Sequence, residues 1–317
     1  MYAERKVAEE KKYLYGPVTS RRLGLSLGVD IVPFKVCTLD CIYCQLGGTT
    51  QKTTDRAEYV PPEAILAELR ETIARGMKAD FITIGGSGEP TLNSRLGELI
   101  DGIKKITDIP VALLTNGTLL YRQDVRADCA KADVVLPSLD AGGKRVFEEI
   151  NCPHKDILIE NLISGLCDFR NEFAGQIWLE VLLIEGLNTD TGQIAKIKKA
   201  IEQVRPDKVQ LNTAVRPTTQ AGIKKVDPEK LETIAAYLGE KCEVVADFSP
   251  GPCHKHIESK AEDVLSMLKR RPCSLNDICS GLGIQRDEVL KYVTRFQQQG
   301  VVHSSEKDGI IFFKAMS

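Results

Sequence analysis

From Leu25 to Asp247 the chain alternates short apolar runs with stretches of helical period, and this alternation most constrains what it can fold into. The runs are "LSLGVDIV", "FITIGG", "VALLTNG", "DVVLPSLD", "IWLEVLLI" and "DKVQLN". Between them, "PPEAILAELRETIARG" puts Ile65, Leu66, Leu69 and Ile73 on one face behind Pro61 and Pro62, and "NSRLGELIDGIKKI" offers Asn93 or Ser94 as its cap. Further helices are predicted near 155–170 and 191–203. Right-handed crossovers keep the helices outside and bring the strand ends to one mouth. Six such units predict an α/β fold, a partial (βα)6 TIM-like barrel, in which the residues just after each strand face one site.

After about residue 250 the pattern changes. "GPCHKH" reads as a linker, and "ESKAEDVLSMLKRR", "SLNDICSGLG", "QRDEVLKYVTRFQQQG" and "GIIFFKA" read as three helices and a terminal hairpin. A glycine turn between short helices, followed by "VVHSSEKDGIIFFK", suits a helix-turn-helix with a wing. The expected organisation is therefore a barrel over 1–250 and a small winged-helix-like domain over 251–317, in a chain of 317 residues that exceeds one ordinary core. Acidic and basic residues nearly cancel, 44 against 42, so no global field holds nucleic acid or anionic lipid. From residue 254 onward ten Lys and Arg face eight Asp and Glu, which makes dimerisation or protein docking at least as good a role for this module as nucleic-acid binding through Arg286, Lys291 and Arg295. The charged start and the lack of a long apolar run give the expectation of a soluble, cytoplasmic protein with no membrane partner.

"VCTLDCIYCQL" places Cys37, Cys41 and Cys44 within eight residues, among ten cysteines in all. Three is an awkward number, because disulfides use thiols in pairs and closed zinc sites take four ligands. Thiolates at i, i+4 and i+7 suit three corners of a cubane 4Fe-4S cluster and leave one iron without a protein ligand. A zinc knuckle completed by a distant Cys or His is the alternative for this motif taken alone.

With an aromatic residue, Tyr43, before the last cysteine, and a strand ahead of the loop, the pattern resembles the radical S-adenosylmethionine superfamily. The resemblance implies that the cosubstrate S-adenosylmethionine chelates the open iron. It also implies that an electron passed through the cluster, from a ferredoxin or flavodoxin, cleaves the sulfonium to a 5'-deoxyadenosyl radical that abstracts hydrogen from a substrate. "GGSGEPTL" resembles the family's glycine-rich loop, which assigns Gly85, Gly86, Ser87, Gly88, Glu89 and Pro90 to the methionine end of the cosubstrate. Thr115 and Asn116 after the third run, and Ser138 and Asp140 after the fourth, fall where the family contacts ribose or methionine. Read from the residues alone, they are equally caps and turn formers.

"YGPVTSRRLGLSLGVD", "SLDAGGKRVFEEINCPH" and "VQLNTAVRP" resemble a branch of iron-sulfur oxidoreductases related to wyosine tRNA-base synthases. Where that branch leads one to expect an arginine in the "INCPH" stretch, this chain has Cys152. Candidate substrate residues are Arg21 and Arg22 as anion forks, Glu180 inside the fifth run, and Gln210 and Asn212 in the sixth. A solvated surface pair is the other reading of the two arginines. His154 is a turn residue or, at the mouth, a substrate neighbour. Cys129, Cys152 and Cys167 read as packing residues. Cys242, Cys253, Cys273 and Cys279, with His254 and His256, match no compact ligand spacing. The expected activity is radical chemistry on an unidentified RNA base, small molecule or peptide. The rival is an iron-sulfur redox-sensing transcription regulator that reads DNA through the winged helix.

Overall fold

The computed structural model describes residues 13–246 and 261–316. The linker over 251–256, with Cys253, His254, His256 and the expected domain boundary, lies outside the described residues.

Two antiparallel strands, β1 (Leu14–Ser20) and β2 (Gly24–Val29), open the chain. Two short strands, β3 (Val36–Cys37) and β4 (Gln51–Lys52), pair in parallel around the cysteine loop. The alternation follows: α1 (Pro62–Ala74), β5 (Phe81–Ile84), α2 (Leu96–Lys104), β6 (Val111–Thr115), α3 (Gln123–Cys129), β7 (Val134–Pro137), α4 (Lys144–Asn151), α5 (Ile159–Glu172), β8 (Gln176–Leu183), α6 (Thr191–Val204), β9 (Lys208–Thr213), α7 (Pro228–Leu238) and β10 (Cys242–Val244). All six predicted runs are strands, and the sheet runs β1-β2-β5-β6-β7-β8-β9-β10. It is parallel from β2 to β10. Two strands exceed the expected six: β1, antiparallel on one edge, and β10, a seventh parallel strand on the other.

The sheet curls strongly. Arg22, in the β1–β2 turn, bonds Glu180 on β8 at 2.9 Å, and Arg21 Nη1 donates to the carbonyl of Val245 beyond β10 at 3.0 Å. In a flat sheet the four strand spacings from β2 to β8 would hold those groups about 19 Å apart. Outward-facing Ile177, Leu179, Val181 and Leu183 pack against the helices, whereas inward-facing Trp178 joins Leu23, Ala112, Val134 and Leu136 in a separate inner cluster. This is the partial barrel.

One expected cap moves. A 3-10 turn over Pro90–Leu92 delays α2, whose N-cap is Arg95 with no side-chain bond, in place of Asn93 or Ser94. Asn93 instead braces the loops, donating from Nδ2 to the carbonyls of Ile31 (2.8 Å) and Val60 (3.1 Å).

The C-terminal domain contains α8 (Ala261–Arg270), β11 (Cys273–Ser274), α9 (Leu275–Leu282), α10 (Arg286–Gln298), β12 (Val302–Lys307) and β13 (Ile310–Ala315), with β13 central in a small antiparallel sheet. Ser274 and Asp277 form a capping box on α9, and Gly283 at φ +66° makes the glycine turn expected before α10. The domain leans on the barrel edge. Val18 of β1 packs into its core, and Arg216 binds Asp277 at 2.5 Å. Arg270 pairs with Asp30 while its guanidinium lies 3.3 Å from the centroid of the Tyr15 ring. Among the described residues no helix is long and apolar enough to cross a membrane.

Ile82, fully buried on β5, should lose about 2–5 kcal/mol of stability as Ile82→Ala. Half-exposed Leu290→Ala should change it by no more than about 0.5 kcal/mol, both read from urea denaturation.

Candidate functional site

The cysteine loop starts at the top of β2 and is fixed by other elements. The N–H of Asp40 donates to the carbonyls of Asn151 (3.1 Å) and Cys152 (3.3 Å), and that of Ile42 donates to Ile150 (3.0 Å). These acceptors are the free carbonyls at the end of α4, which stops at Cys152 in the left-handed region (φ +42°). From the other side, the N–H of Thr219 donates to the carbonyl of Cys44 (3.0 Å) and that of Gln220 to Ile42 (3.1 Å).

Each thiol meets a side-chain N–H donor. Asn116 Nδ2 lies 3.6 Å from Cys37 Sγ, Asn151 Nδ2 lies 3.5 Å from Cys41 Sγ, and Lys35 Nζ donates to Cys44 Sγ at 3.1 Å. Burial, aided by Glu89, pushes the Cys37 thiol up to about 11, and burial pushes Cys41 well above the usual thiol range. A positive centre bound beside them would favour the thiolate forms, and an iron cluster is one such centre. Among the described residues no three His, Cys, Asp or Glu side chains converge on one ion. A cubane asks for a different arrangement, because each thiolate ends on its own iron.

The glycine-rich loop is zipped to the cysteine strand. Lys35 N donates to Ser87 O (2.6 Å), and Glu89 N donates to Val36 O (3.0 Å). A Cβ on Gly88 would sit 2.2 Å from Val36 O, and one on Gly86, at φ +99°, 2.0 Å from Asp30 Oδ1. Only glycine allows this approach.

Residues 31–202, more than half of the chain, match the family model described as the Radical SAM superfamily. The chain belongs to that superfamily. It is 32% identical over 309 residues to a UPF0026 protein of Methanocaldococcus jannaschii, covering 94% of each chain. It is also 38% identical over 308 residues to a protein named GTPase Obg from Brachyspira hyodysenteriae, of which it spans 45% while 95% of this chain is covered. Among solved structures, that of TYW1 with a lysine-pyruvate adduct bound superposes with a TM-score of 0.52 at 19% identity, covering 67% of this chain and 72% of that one, a likeness of fold. Radical SAM proteins bind a 4Fe-4S cluster and S-adenosylmethionine, and the three thiols beside the glycine loop fit that donor set.

Against this radical SAM frame, several predicted site residues are engaged within the chain. Glu89, 2% exposed, accepts from Thr91 N (3.1 Å), Thr91 Oγ1 (2.6 Å) and Thr115 Oγ1 (2.6 Å) on Oε1, and from Asn116 N (2.7 Å) on Oε2. Burial raises its pKa despite these bonds. Pro90 is buried and opens the 3-10 turn that Glu89 caps. Asp140, 3% exposed, accepts from Tyr43 OH (2.5 Å), Asn151 Nδ2 (2.7 Å) and Leu182 N (2.9 Å), and burial raises its pKa too. It rivets Tyr43 of the cysteine loop to β8. Gly85 packs its Cα face against Leu114, and Ser138, half-buried, continues β7 through a bridge to Glu180.

Inside the barrel, Glu180 is held by Arg22 and by Asn212 Nδ2 (3.1 Å). Burial works to raise its pKa, but Arg22, Asn212 and Arg21 outweigh it and the net shift is downward. Gln210, 1% exposed, donates to Glu243 Oε1 at 2.8 Å. Arg22 thus reaches into the barrel, in place of a solvated surface residue, whereas Arg21 is exposed at the barrel edge and bonds the carbonyl of Val245. His154 N donates to Thr38 O at 2.9 Å, so this segment braces the cysteine loop. Cys242 stands on β10, whereas Cys273 and Cys279 are buried in the C-terminal core. Cys129 and Cys167 pack with the barrel core as expected, and Cys152 has the left-handed role described above.

Sequence reasoning missed Lys35 and Asn151. Asn151 stands in the quoted "INCPH", but its partners lie 110 and 11 residues away, and no local pattern marks them.

Asp140→Ala should cost about 1–3 kcal/mol for each group left without an acceptor, read by denaturation of the purified protein. Because the Glu180 pKa is lowered on folding, its contribution is present above the ordinary carboxylate range and is lost as pH falls through the lowered value. Glu180→Gln should therefore flatten the loss of stability below about pH 4, measured as urea midpoints against pH.

Proposed function

We propose that the chain is a radical SAM enzyme that uses a 4Fe-4S cluster on Cys37, Cys41 and Cys44 to cleave S-adenosylmethionine reductively. The observation that carries this reading is the set of three thiols, each with its own N–H donor, packed against a glycine loop too close for any side chain. When bound, the cluster supplies the electron that splits the sulfonium and yields a 5'-deoxyadenosyl radical, which takes hydrogen from substrate. The protein supplies placement. We assign the cosubstrate to the wall made by residues 85–90, Asn116 and Ser138. Within and beside that wall, Glu89, Tyr43, Thr115 and Asp140 act as positioning residues, since their polar groups bond within the chain.

The substrate approaches through a cleft of about 2260 Å³ between the barrel and the C-terminal domain, lined by Tyr15, Arg22, Ser87, Arg216, Arg270 and Phe312. That exceeds the roughly 300–1,000 Å³ of ordinary small-molecule sites, and Gly86 and Ser87 of the glycine loop stand on its wall. The barrel-interior set Arg22, Glu180, Gln210 and Asn212, with Arg21 at its edge, is our candidate substrate surface. An RNA base, a peptide and a small molecule are the substrate classes to be tested. The reductant is a ferredoxin or flavodoxin, and the location is the cytoplasm, where thiols stay reduced.

The C-terminal domain, winged-helix-like in element order, serves this site. Lys307 Nζ donates to the carbonyls of Ala214 (2.6 Å) and Arg216 (3.0 Å), and Lys314 Nζ to those of Gln45 and Leu46 (3.2 Å each). These two wing lysines are occupied by barrel carbonyls, whereas Arg286, Lys291 and Arg295 on α10 are exposed, so duplex binding is one outcome of the test below.

Anaerobic reconstitution with iron and sulfide, then reduction with S-adenosylmethionine present, should release 5'-deoxyadenosine, and Cys37→Ala should abolish it. Zinc in place of iron, or steep salt-dependent binding to a specific duplex without turnover, would overturn the reading.

A further inference from the structure

The cation closest to the thiols has an uncommon backbone. Lys35 lies in the left-handed region at φ +58°, where few non-glycine residues sit, and it is only 3% exposed. Buried ammonium groups persist when paired. Among the described residues no carboxylate lies within ion-pair distance of Lys35, and its Nζ donates to Cys44 Sγ at 3.1 Å. The turn is held on both sides. Lys35 N donates to Ser87 O (2.6 Å), while Lys35 O accepts from Thr50 N (3.1 Å) and Gln51 N (3.3 Å). The strained residue is thus the joint between the glycine loop and the cysteine strand, and the joint aims an ammonium at one sulfur. The side-chain N–H donors that meet Cys37 and Cys41 are neutral amides, Asn116 and Asn151, so Cys44 is the sulfur to which the ammonium donates directly. A second ammonium, Lys314 of the C-terminal domain, bonds the carbonyls of Gln45 and Leu46 just beyond Cys44.

We propose that Lys35 is a positioning residue that raises the reduction potential of the cluster through Cys44, so that a weaker electron donor suffices. The inference rests on the three thiols being cluster ligands. Reduction adds one negative charge to the cluster. A charge-assisted N–H···S bond and a nearby cation stabilise that reduced state more than the oxidised one. One electron leaves a low-potential one-electron carrier, which is oxidised, and enters the cluster, which is reduced; no bond of the protein forms or breaks. Lys314 acts in the same direction more weakly, since its bonds go to carbonyls of the loop.

The test compares wild type, Lys35→Met, Lys35→Gln and Lys35→Arg after anaerobic reconstitution. Iron is assayed, and the reduced cluster is followed by paramagnetic resonance against a dithionite-poised redox scale. At a fixed donor potential, Lys35→Met and Lys35→Gln should show about a tenfold lower ratio of reduced to oxidised cluster, about 59 mV for a one-electron couple. Lys35→Arg, which keeps the charge, should stay near wild type. Should Lys35→Met take up less iron, Lys35→Gln decides. Unchanged potentials at full iron overturn the proposal. So does an arginine variant shifted as far as methionine, which marks packing in place of charge. If neither neutral variant holds iron while wild type does, Lys35 is a determinant of loop folding and the proposal falls. A wild type that holds no iron-sulfur cluster strikes the reading of the thiols instead.

Discussion

The cysteine loop has almost no regular structure of its own, so the site depends on backbone groups that other elements lend it. The decisive loan comes from α4. A helix end leaves carbonyls without intrahelical donors, and here those of Ile150, Asn151 and Cys152 take the N–H groups of Asp40 and Ile42. One junction thereby satisfies two sets of otherwise orphaned groups. The geometry of three thiols is set by the fourth unit of the barrel, more than a hundred residues along the chain. Because the glycine loop bonds the same cysteine strand from the opposite side, a shift in either wall must move the sulfurs.

The six parallel strands were legible because buried parallel strands read as continuous apolar runs, and helices of 3.6 period separate them. β1 was not. Its mixed burial pattern, ending in a polar turn at Arg21 and Arg22, carries no periodic signal, and it is a strand only because β2 and the C-terminal domain lie beside it. At the site, the three cysteines and the glycine loop are contiguous in sequence and could be found by spacing. Glu89, Asp140 and Asn116 could be located at strand ends, but their bonds to Thr115, Tyr43 and Thr38 join different units, so their roles follow from the closed barrel alone. Lys35 was invisible for another reason. Nothing in "FKVC" shows a left-handed lysine, because the conformation is imposed by Ser87, Thr50 and Gln51.

The C-terminal domain solves a problem that the barrel creates. An exposed edge strand invites pairing with other chains. Here β1 is covered by α8 and α9, with Val18 in their apolar cluster and Arg270 stacked on Tyr15. The hairpin of the same domain reaches the cysteine loop through Lys314. Edge protection and contact with the site are thus one docking arrangement, and a change that loosens the first also alters the second.

The β1–β2 turn completes the enclosure. A partial barrel leaves a lateral opening between its first and last strands, and this turn crosses it: Arg21 reaches the carbonyl beyond β10 and Arg22 reaches Glu180 on β8. An ion pair inside a barrel costs desolvation, and it is retained here with Asn212 completing the carboxylate's bonds and part of each side chain still exposed. Arg22 lines the cleft together with Ser26, Thr83 and Leu114 from the barrel interior. Among the described residues, a cleft between the barrel and the C-terminal domain leads toward this part of the interior. The paired charges of the domain interface, Asp30 with Arg270 and Asp277 with Arg216, line that cleft, so the contacts that dock the domain also shape it.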